Sequence, residues 1–182
     1  MSVPESPIAG IQVLVVDDMA PIRDLLSNFF QKRNLTVTAV CDGVSAIQTL
    51  ERNRGKFELV VTDLHMPGAD GFAVLAEAKR SNPGCAVVIV TGYASLDSAI
   101  QAVRVGAYDY LPKPFKMSEV EELLERIAAD RAWRRQEVIE DVVAEISAIV
   151  PSVDNLSERV RRIEQRLGVD EEIHSVGFPT RR

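Results

Sequence analysis

The sequence predicts an α/β protein in which a parallel sheet of five strands carries helices on both faces. Three observations support this. Strand-like and helix-like segments alternate five times from Ile11 onward, the pattern of successive βα units. The runs Val13–Val16, Leu59–Val61 and Ala86–Val90 are almost wholly apolar, as in strands covered on both faces. These runs stop abruptly at polar residues: Asp17-Asp18, Thr62-Asp63 and Thr91.

Residues 11–18, Ile-Gln-Val-Leu-Val-Val-Asp-Asp, form the first strand, and Pro21 suits the first turn of the helix after it. Ile22, Leu25, Leu26, Phe29 and Phe30 recur with helical spacing. Leu35–Cys41 alternates as a strand, and Gly43–Arg54 presents Val44, Ala46, Ile47 and Leu50 as one helical face. Phe57–Asp63 is the central strand and leaves through the turn Pro67-Gly68. Asp70–Ser81 places Phe72, Val74, Leu75 and Ala78 together on a helix that Asn82-Pro83-Gly84 ends. Ala86–Thr91 is a further buried strand. Leu96–Gly106 is a helix of small residues with Gly106 as its stop. Tyr108–Leu111 is a short strand followed by Pro112-Lys113-Pro114-Phe115. A last helix starts near Ser118, with Glu121 in the capping-box position.

Right-handed crossovers bring the carboxyl ends of parallel strands to one edge, where open sheets bind ligands. Asp17, Asp18, Asp63, Thr91 and Lys113 all fall there. Singly, each has a plain reading as a cap, a turn or a surface charge; together they point at one cleft. Three crowded carboxylates repel one another, and one stays protonated unless a cation is near. Oxygen donors without His or Cys suit a hard ion such as Mg²⁺. A carboxylate can attack phosphorus, and phosphoryl transfer needs positive charge on the equatorial oxygens. Mg²⁺ and Lys113 would supply it, Thr91 would donate a hydroxyl, and Gly92 leaves room. The chain has no Gly-rich GKS or GKT nucleotide loop.

The bulk properties narrow the function class. At 182 residues with 46% hydrophobic content, the chain can build one domain and an appendage, or two small domains. Its net charge of -6 argues against general affinity for nucleic acid. No apolar run is long enough for a bilayer, and Met1–Gly10 lacks the features of a signal peptide, so residues 1–9 read as a frayed lead-in to a cytoplasmic protein. Cys41 and Cys85 have no metal-binding spacing and read as small buried hydrophobes.

Val16-Asp17-Asp18, Thr62-Asp63-Leu64-His65-Met66-Pro67-Gly68 with the later Asp70-Gly71, Val90-Thr91-Gly92-Tyr93-Ala94 and Leu111-Pro112-Lys113-Pro114-Phe115 resemble the receiver domain of response regulators in two-component signalling, in both residues and spacing. The resemblance covers residues 10–128. It implies a CheY-like, flavodoxin-like sheet of order 2-1-3-4-5. It also implies that Asp63 accepts a phosphoryl group from a sensor histidine kinase or histidine phosphotransfer protein. Asp18 would ligate Mg²⁺ directly, Asp17 mostly through water, and Asp63 and the backbone carbonyl of His65 would complete the protein ligands. Thr91 and Lys113 would bind the phosphoryl group, and Tyr110 would swing inward as Thr91 moves. His65 and Tyr93 lie where receivers vary and would tune hydrolysis. Such a domain is no enzyme beyond its own phosphorylation and dephosphorylation.

Residues 129–168 are expected to form a helical extension. Ile139, Val142, Ile146, Ile149, Val153, Leu156, Val160, Ile163 and Leu167 alternate spacings of three and four, a heptad register. That predicts a homodimer through Ile139–Leu167 with a break near Pro151, and output through a downstream protein effector, against the alternative that these segments fold back on the receiver as ordinary amphipathic helices. Residues 169–182 read as a disordered tail. Interleaved acids set Arg131, Arg134, Arg135, Arg159, Arg161, Arg162 and Arg166 on solvated faces, against the alternative of a nucleic-acid-binding tail. Another alternative, a phosphatase of the haloacid-dehalogenase type, would want a second Asp two residues after the nucleophile, where this chain has His65.

Overall fold

The computed structural model describes Ile8 and residues 10–131. They run β1 (Gln12–Val16), α1 (Ala20–Gln31), β2 (Thr36–Val40), α2 (Gly43–Arg52), β3 (Leu59–Thr62), α3 (Gly71–Ser81), β4 (Ala86–Thr91), α4 (Leu96–Arg104) and β5 (Asp109–Pro112). A fifth helix, α5, covers residues 117–131. The strands form one parallel sheet in the order β2-β1-β3-β4-β5, as expected for a flavodoxin-like fold. Val16 pairs with both Val40 and Thr62, and Thr91 with Pro112, so the strand exits share one edge.

Strand side chains alternate between faces, and each face has its own core. Val13, Val15, Val61, Val88 and Val90 pack with Leu26, Phe29 and Phe30 of α1 and with Val120, Leu123, Leu124 and Ile127 of α5. Leu14, Val16, Val60, Val87 and Ile89 pack with Ala46 and Leu50 of α2, with Val74, Leu75 and Ala78 of α3 and with Ala102 of α4. Burial on both faces explains why the inner strands read as unbroken apolar runs. The predicted faces extend too far at two positions: Leu25 and Val44 are exposed at 44% and 45%.

Helix ends follow local chemistry. Asp42, Asp70 and Ser95 cap α2, α3 and α4 by accepting the backbone N–H three residues on. Gly106 takes φ +88°, and Ala107 and Gly106 donate to the carbonyls of Ala102 and Val103, closing α4 with a Schellman turn. At α5 the expected box is displaced. The helix starts at residue 117, and Glu119 rather than Glu121 reaches back, accepting from the Lys116 N–H at 2.6 Å. Glu121 instead accepts from Arg33 Nε at 2.9 Å, and that guanidinium lies 3.6 Å from the centre of the Phe29 ring. A long-range ion pair thus joins the turn after α1 to α5. The last described residues of α5 are held by Tyr108, which donates to Asp130 at 2.7 Å, and by the pairs Arg126–Asp109 and Arg131–Glu58.

Cys85 is buried, and burial pushes its thiol up to about 12. Cys41 departs from expectation. It is exposed, because it lies just past β2, an edge strand. Among the described residues no helix is long and apolar enough to cross a membrane. The heptad run Ile139–Leu167, the break near Pro151 and the tail 169–182 lie outside the described residues.

Candidate functional site

Asp63 stands one residue beyond β3, and its N–H continues the ladder by donating to the Val16 carbonyl at 2.8 Å. The loop then folds tightly back, with the Gly71 N–H donating to the Leu64 carbonyl at 2.9 Å. A Cβ at Gly71 would lie 2.4 Å from the Asp63 carbonyl oxygen and 2.9 Å from the Leu64 Cα. Both contacts are backbone, so neither can yield by a rotamer change. Gly71→Ala should therefore lower stability by about 1–3 kcal/mol, the usual cost of overpacking. Chemical denaturation of the variant checks this.

The acidic pair leaves β1 in the same direction. Asp17 Oδ1 accepts from the Met19 N–H at 2.9 Å, which forms a side-chain turn at the foot of α1. Asp17 is buried and Asp18 exposed. Lys113, just past β5, joins the two buried acids: its Nζ donates to Asp17 Oδ2 at 2.6 Å and to Asp63 Oδ2 at 2.7 Å. Asp63 Oδ1 accepts from the His65 N–H at 3.2 Å, so the His65 backbone also lies against the carboxylate.

Thr91 ends β4 and is fully buried. Its carbonyl accepts from the Lys113 N–H at 2.8 Å, and its hydroxyl accepts from the Tyr93 N–H at 3.2 Å, which leaves the hydroxyl proton available. Tyr110 is half-buried, with its hydroxyl 2.8 Å from Ser98 Oγ in the first turn of α4. Ser98 also completes the capping box with Ser95. The His65 and Tyr93 rings meet edge-on at 5.3 Å.

The electrostatics follow from burial and from Lys113. Burial raises the Asp17 carboxyl above its usual 3.8, and the Asp63 charge adds to the rise while the Lys113 hydrogen bond opposes it. Burial alone would push the Lys113 ammonium down, but Asp17 and Asp63 together outweigh it and hold the group above its ordinary 10.5.

One oxygen from each of Asp17, Asp18 and Asp63 lies within 4.8 Å of the others. All three donors are hard carboxylate oxygens, the set that suits Mg²⁺. Asp17 and Asp63 are each partly engaged by Lys113 and by a backbone N–H. The exposed Asp18 carboxylate has no side-chain hydrogen bond among the described residues.

Residues 13–125 match the model of the response regulator receiver domain. The chain belongs to this family. It is 38% identical over 114 residues to the DNA-binding transcriptional regulator NtrC of Escherichia coli K12, a match that covers 63% of this chain and 24% of that protein. The transcriptional regulatory protein FixJ of Bradyrhizobium diazoefficiens is 29% identical over 141 residues, covering 76% of this chain and 68% of the relative. A solved response regulator receiver domain protein from Clostridium thermocellum superposes with a TM-score of 0.60 at 27% identity, covering 70% of this chain and 98% of that one. NtrX from Brucella abortus gives a TM-score of 0.61 at 31% identity, over 69% of this chain and 28% of its own length. The chain thus spans about a quarter of the NtrC-type regulators it matches. Receiver domains bind Mg²⁺ at an acidic pocket, and the Asp17–Asp18–Asp63 cluster is a pocket of that type.

The receiver edge brings together the residues that the sequence singled out: Asp17, Asp18, Asp63, Thr91 and Lys113, with His65, Tyr93 and Tyr110 around them. Sequence reading missed Arg23, whose Nη1 donates to the Asp17 and Asp18 carbonyls at 2.8 and 3.3 Å. It also missed Ser98, the partner of Tyr110. Arg23 leaves one trace in the sequence: a cation closing the first turn of a helix that has no acid there.

Proposed function

We propose that the chain is a phosphorylation-dependent response regulator, with Asp63 taking a phosphoryl group from a phosphohistidine of a sensor kinase or a histidine phosphotransfer protein. The observation that carries this reading is Lys113 Nζ bridging Asp17 and Asp63 at 2.6 and 2.7 Å, beside the open carboxylate of Asp18. One carboxylate oxygen of Asp63 forms the bond to phosphorus. The bond from phosphorus to the imidazole nitrogen breaks, and its electron pair stays on the ring. When bound, Mg²⁺ supplies positive charge to the phosphoryl oxygens; Asp18 would hold it directly, Asp17 mostly through water, and Asp63 and the His65 carbonyl would complete the set. Lys113 exchanges its bond to Asp63 Oδ2 for a phosphoryl oxygen. Thr91 turns its free hydroxyl proton to the same group. Acetyl phosphate with Mg²⁺ should add one phosphoryl mass to the full chain, and chelation should abolish the gain. No gain under either condition would overturn the reading.

Phosphorylation adds about -1.5 to -2 charges at this edge. As Thr91 moves toward them, Tyr110 swings inward and exchanges its Ser98 partner. The chain acts as a switch, with no catalysis beyond its own phosphorylation and dephosphorylation. Output passes through protein contact: a homodimer formed by the heptad Ile139–Leu167 and a downstream protein effector. Truncation after Arg131 keeps the contacts of Asp130 and Arg131 and should reduce the solution mass from dimer to monomer. A full-length chain already monomeric by light scattering would remove the coiled coil.

A further inference from the structure

We propose that Arg23 is a positioning residue for divalent-cation binding, holding the Asp17–Met19 backbone so that the acidic pair faces the site. The inference rests on the receiver reading and adds a residue that the reading does not use.

The Arg23 guanidinium engages two successive carbonyls, and its main chain adds an ordinary helical bond to the next. Its Nη1 donates to Asp17 O at 2.8 Å and to Asp18 O at 3.3 Å, and its own N–H donates to Met19 O at 3.1 Å. One nitrogen reaching two consecutive carbonyls fixes the peptide planes on both sides of Asp18, and so the direction in which its side chain leaves. Asp17 has other anchors in the Met19 N–H and Lys113. The exposed Asp18 carboxylate has no side-chain hydrogen bond among the described residues, so the backbone is what aims it.

Helix stability does not explain this arrangement. The N-cap, Met19, makes no side-chain cap bond, and the first turn of α1 has no acid. A cation near that end is opposed by the helix dipole. The stabilising choice would be an acid or a neutral residue; the chain instead places a guanidinium there and spends it on the loop carbonyls. The local arrangement favours the site over the helix.

Charge and positioning predict opposite signs, and this makes the proposal testable. If Arg23 mattered only as a nearby cation, its removal would make the acid cluster more negative and tighten Mg²⁺ binding. If it positions the loop, removal loosens Asp18 and weakens binding. Mg²⁺ affinity is measured by calorimetry on the full chain for wild type, Arg23→Met and Arg23→Lys. Outer residues that orient metal ligands commonly contribute about 10–100-fold in affinity, and for a contact made through the backbone we expect about three- to tenfold weaker binding in Arg23→Met. Arg23→Lys keeps the charge and can reach one carbonyl, so it should fall between; it also serves if Arg23→Met fails to fold. Hydrogen exchange in the metal-free protein gives an independent readout. The Met19 amide should exchange faster in both variants, while amides in β4 keep wild-type rates. Equal or tighter Mg²⁺ binding in Arg23→Met, or unchanged exchange at Met19, overturns the positioning role and leaves the receiver reading standing. Absence of Mg²⁺ binding in the wild type overturns the receiver reading itself.

Discussion

Asp63→Asn should abolish phosphoryl uptake without costing stability. Acetyl phosphate and Mg²⁺ should give the wild-type chain one added phosphoryl mass and the variant none, and beryllofluoride should shift the amide spectrum of the wild type alone. The expected effect is complete loss, because an amide is no nucleophile toward phosphorus at neutral pH. The stability half of the prediction comes from the crowding of the acids. Asp17, Asp18 and Asp63 place oxygens within 4.8 Å of one another, and the Asp63 charge is among the causes that raise the Asp17 carboxyl. Replacing Asp63 relieves that repulsion and leaves Lys113 paired with Asp17. The variant should be as stable as wild type or more so by about 1 kcal/mol, the scale of one pKa unit. Denaturant titration at pH 7 measures it. A variant that lost phosphoryl uptake by unfolding would not support the assignment, and one that kept full uptake would end it.

The site was legible in the sequence because of how its strands are buried. Buried parallel strands must be apolar along their length, so the charged or hydroxyl residue that closes each run marks the exit. Asp17, Asp63 and Thr91 each terminate such a run, and the crossover rule then places them on one edge. The end of α4 was legible as well, because Gly106 supplies the left-handed backbone, φ +88°, that closes a helix.

What stayed hidden depends on partners distant in sequence or on the backbone. Ser118–Glu121 and Lys116–Glu119 offer the same reach-back spacing, and Glu119 is used because Arg33, 88 positions away from Glu121, claims the other acid. Arg23 bonds main-chain carbonyls, which carry no side-chain signature. Cys41 reads as buried within an alternating strand, but β2 lies at the sheet edge, and edge position comes from strand order rather than from local pattern. Gly71 reads as part of a motif; only the approach of the Asp63 carbonyl shows why no side chain fits there.

Lys113→Met should produce the largest loss of stability, with a pH dependence that identifies its cause. Lys113 is the cation between Asp17 and Asp63, whose side chains are 1% and 9% exposed. Removing one partner of a buried pair typically costs about 3–5 kcal/mol because the remaining charge stays buried. The rim position of Asp18 lets solvent in, so the low end, about 2–3 kcal/mol at pH 7, is expected. The sign with pH follows from linkage. Burial already holds the Asp17 carboxyl above 3.8, and loss of Lys113 removes the chief group that opposes it, leaving only the Met19 N–H. An acid whose folded value is raised contributes stability below its unfolded value and loses it as pH rises through the folded value. The deficit of the variant should therefore shrink from pH 7 toward pH 4. The deficit should shrink on the alkaline side too. The raised Lys113 ammonium stabilises the wild type below 10.5 and loses that contribution as pH climbs through its folded value. Wild type and variant should thus converge there as well. Tyr108, pushed up to about 12 by burial and Asp130, keeps its own alkaline loss in both proteins and cancels in the comparison. Mg²⁺ should recover more of the melting temperature in the variant than it adds to wild type, because it binds the folded acid cluster and meets no competing ammonium. Denaturation curves from pH 4 to 11, with and without Mg²⁺, check each limb; a deficit constant across that range would mean that lost packing, not the buried acids, sets the cost.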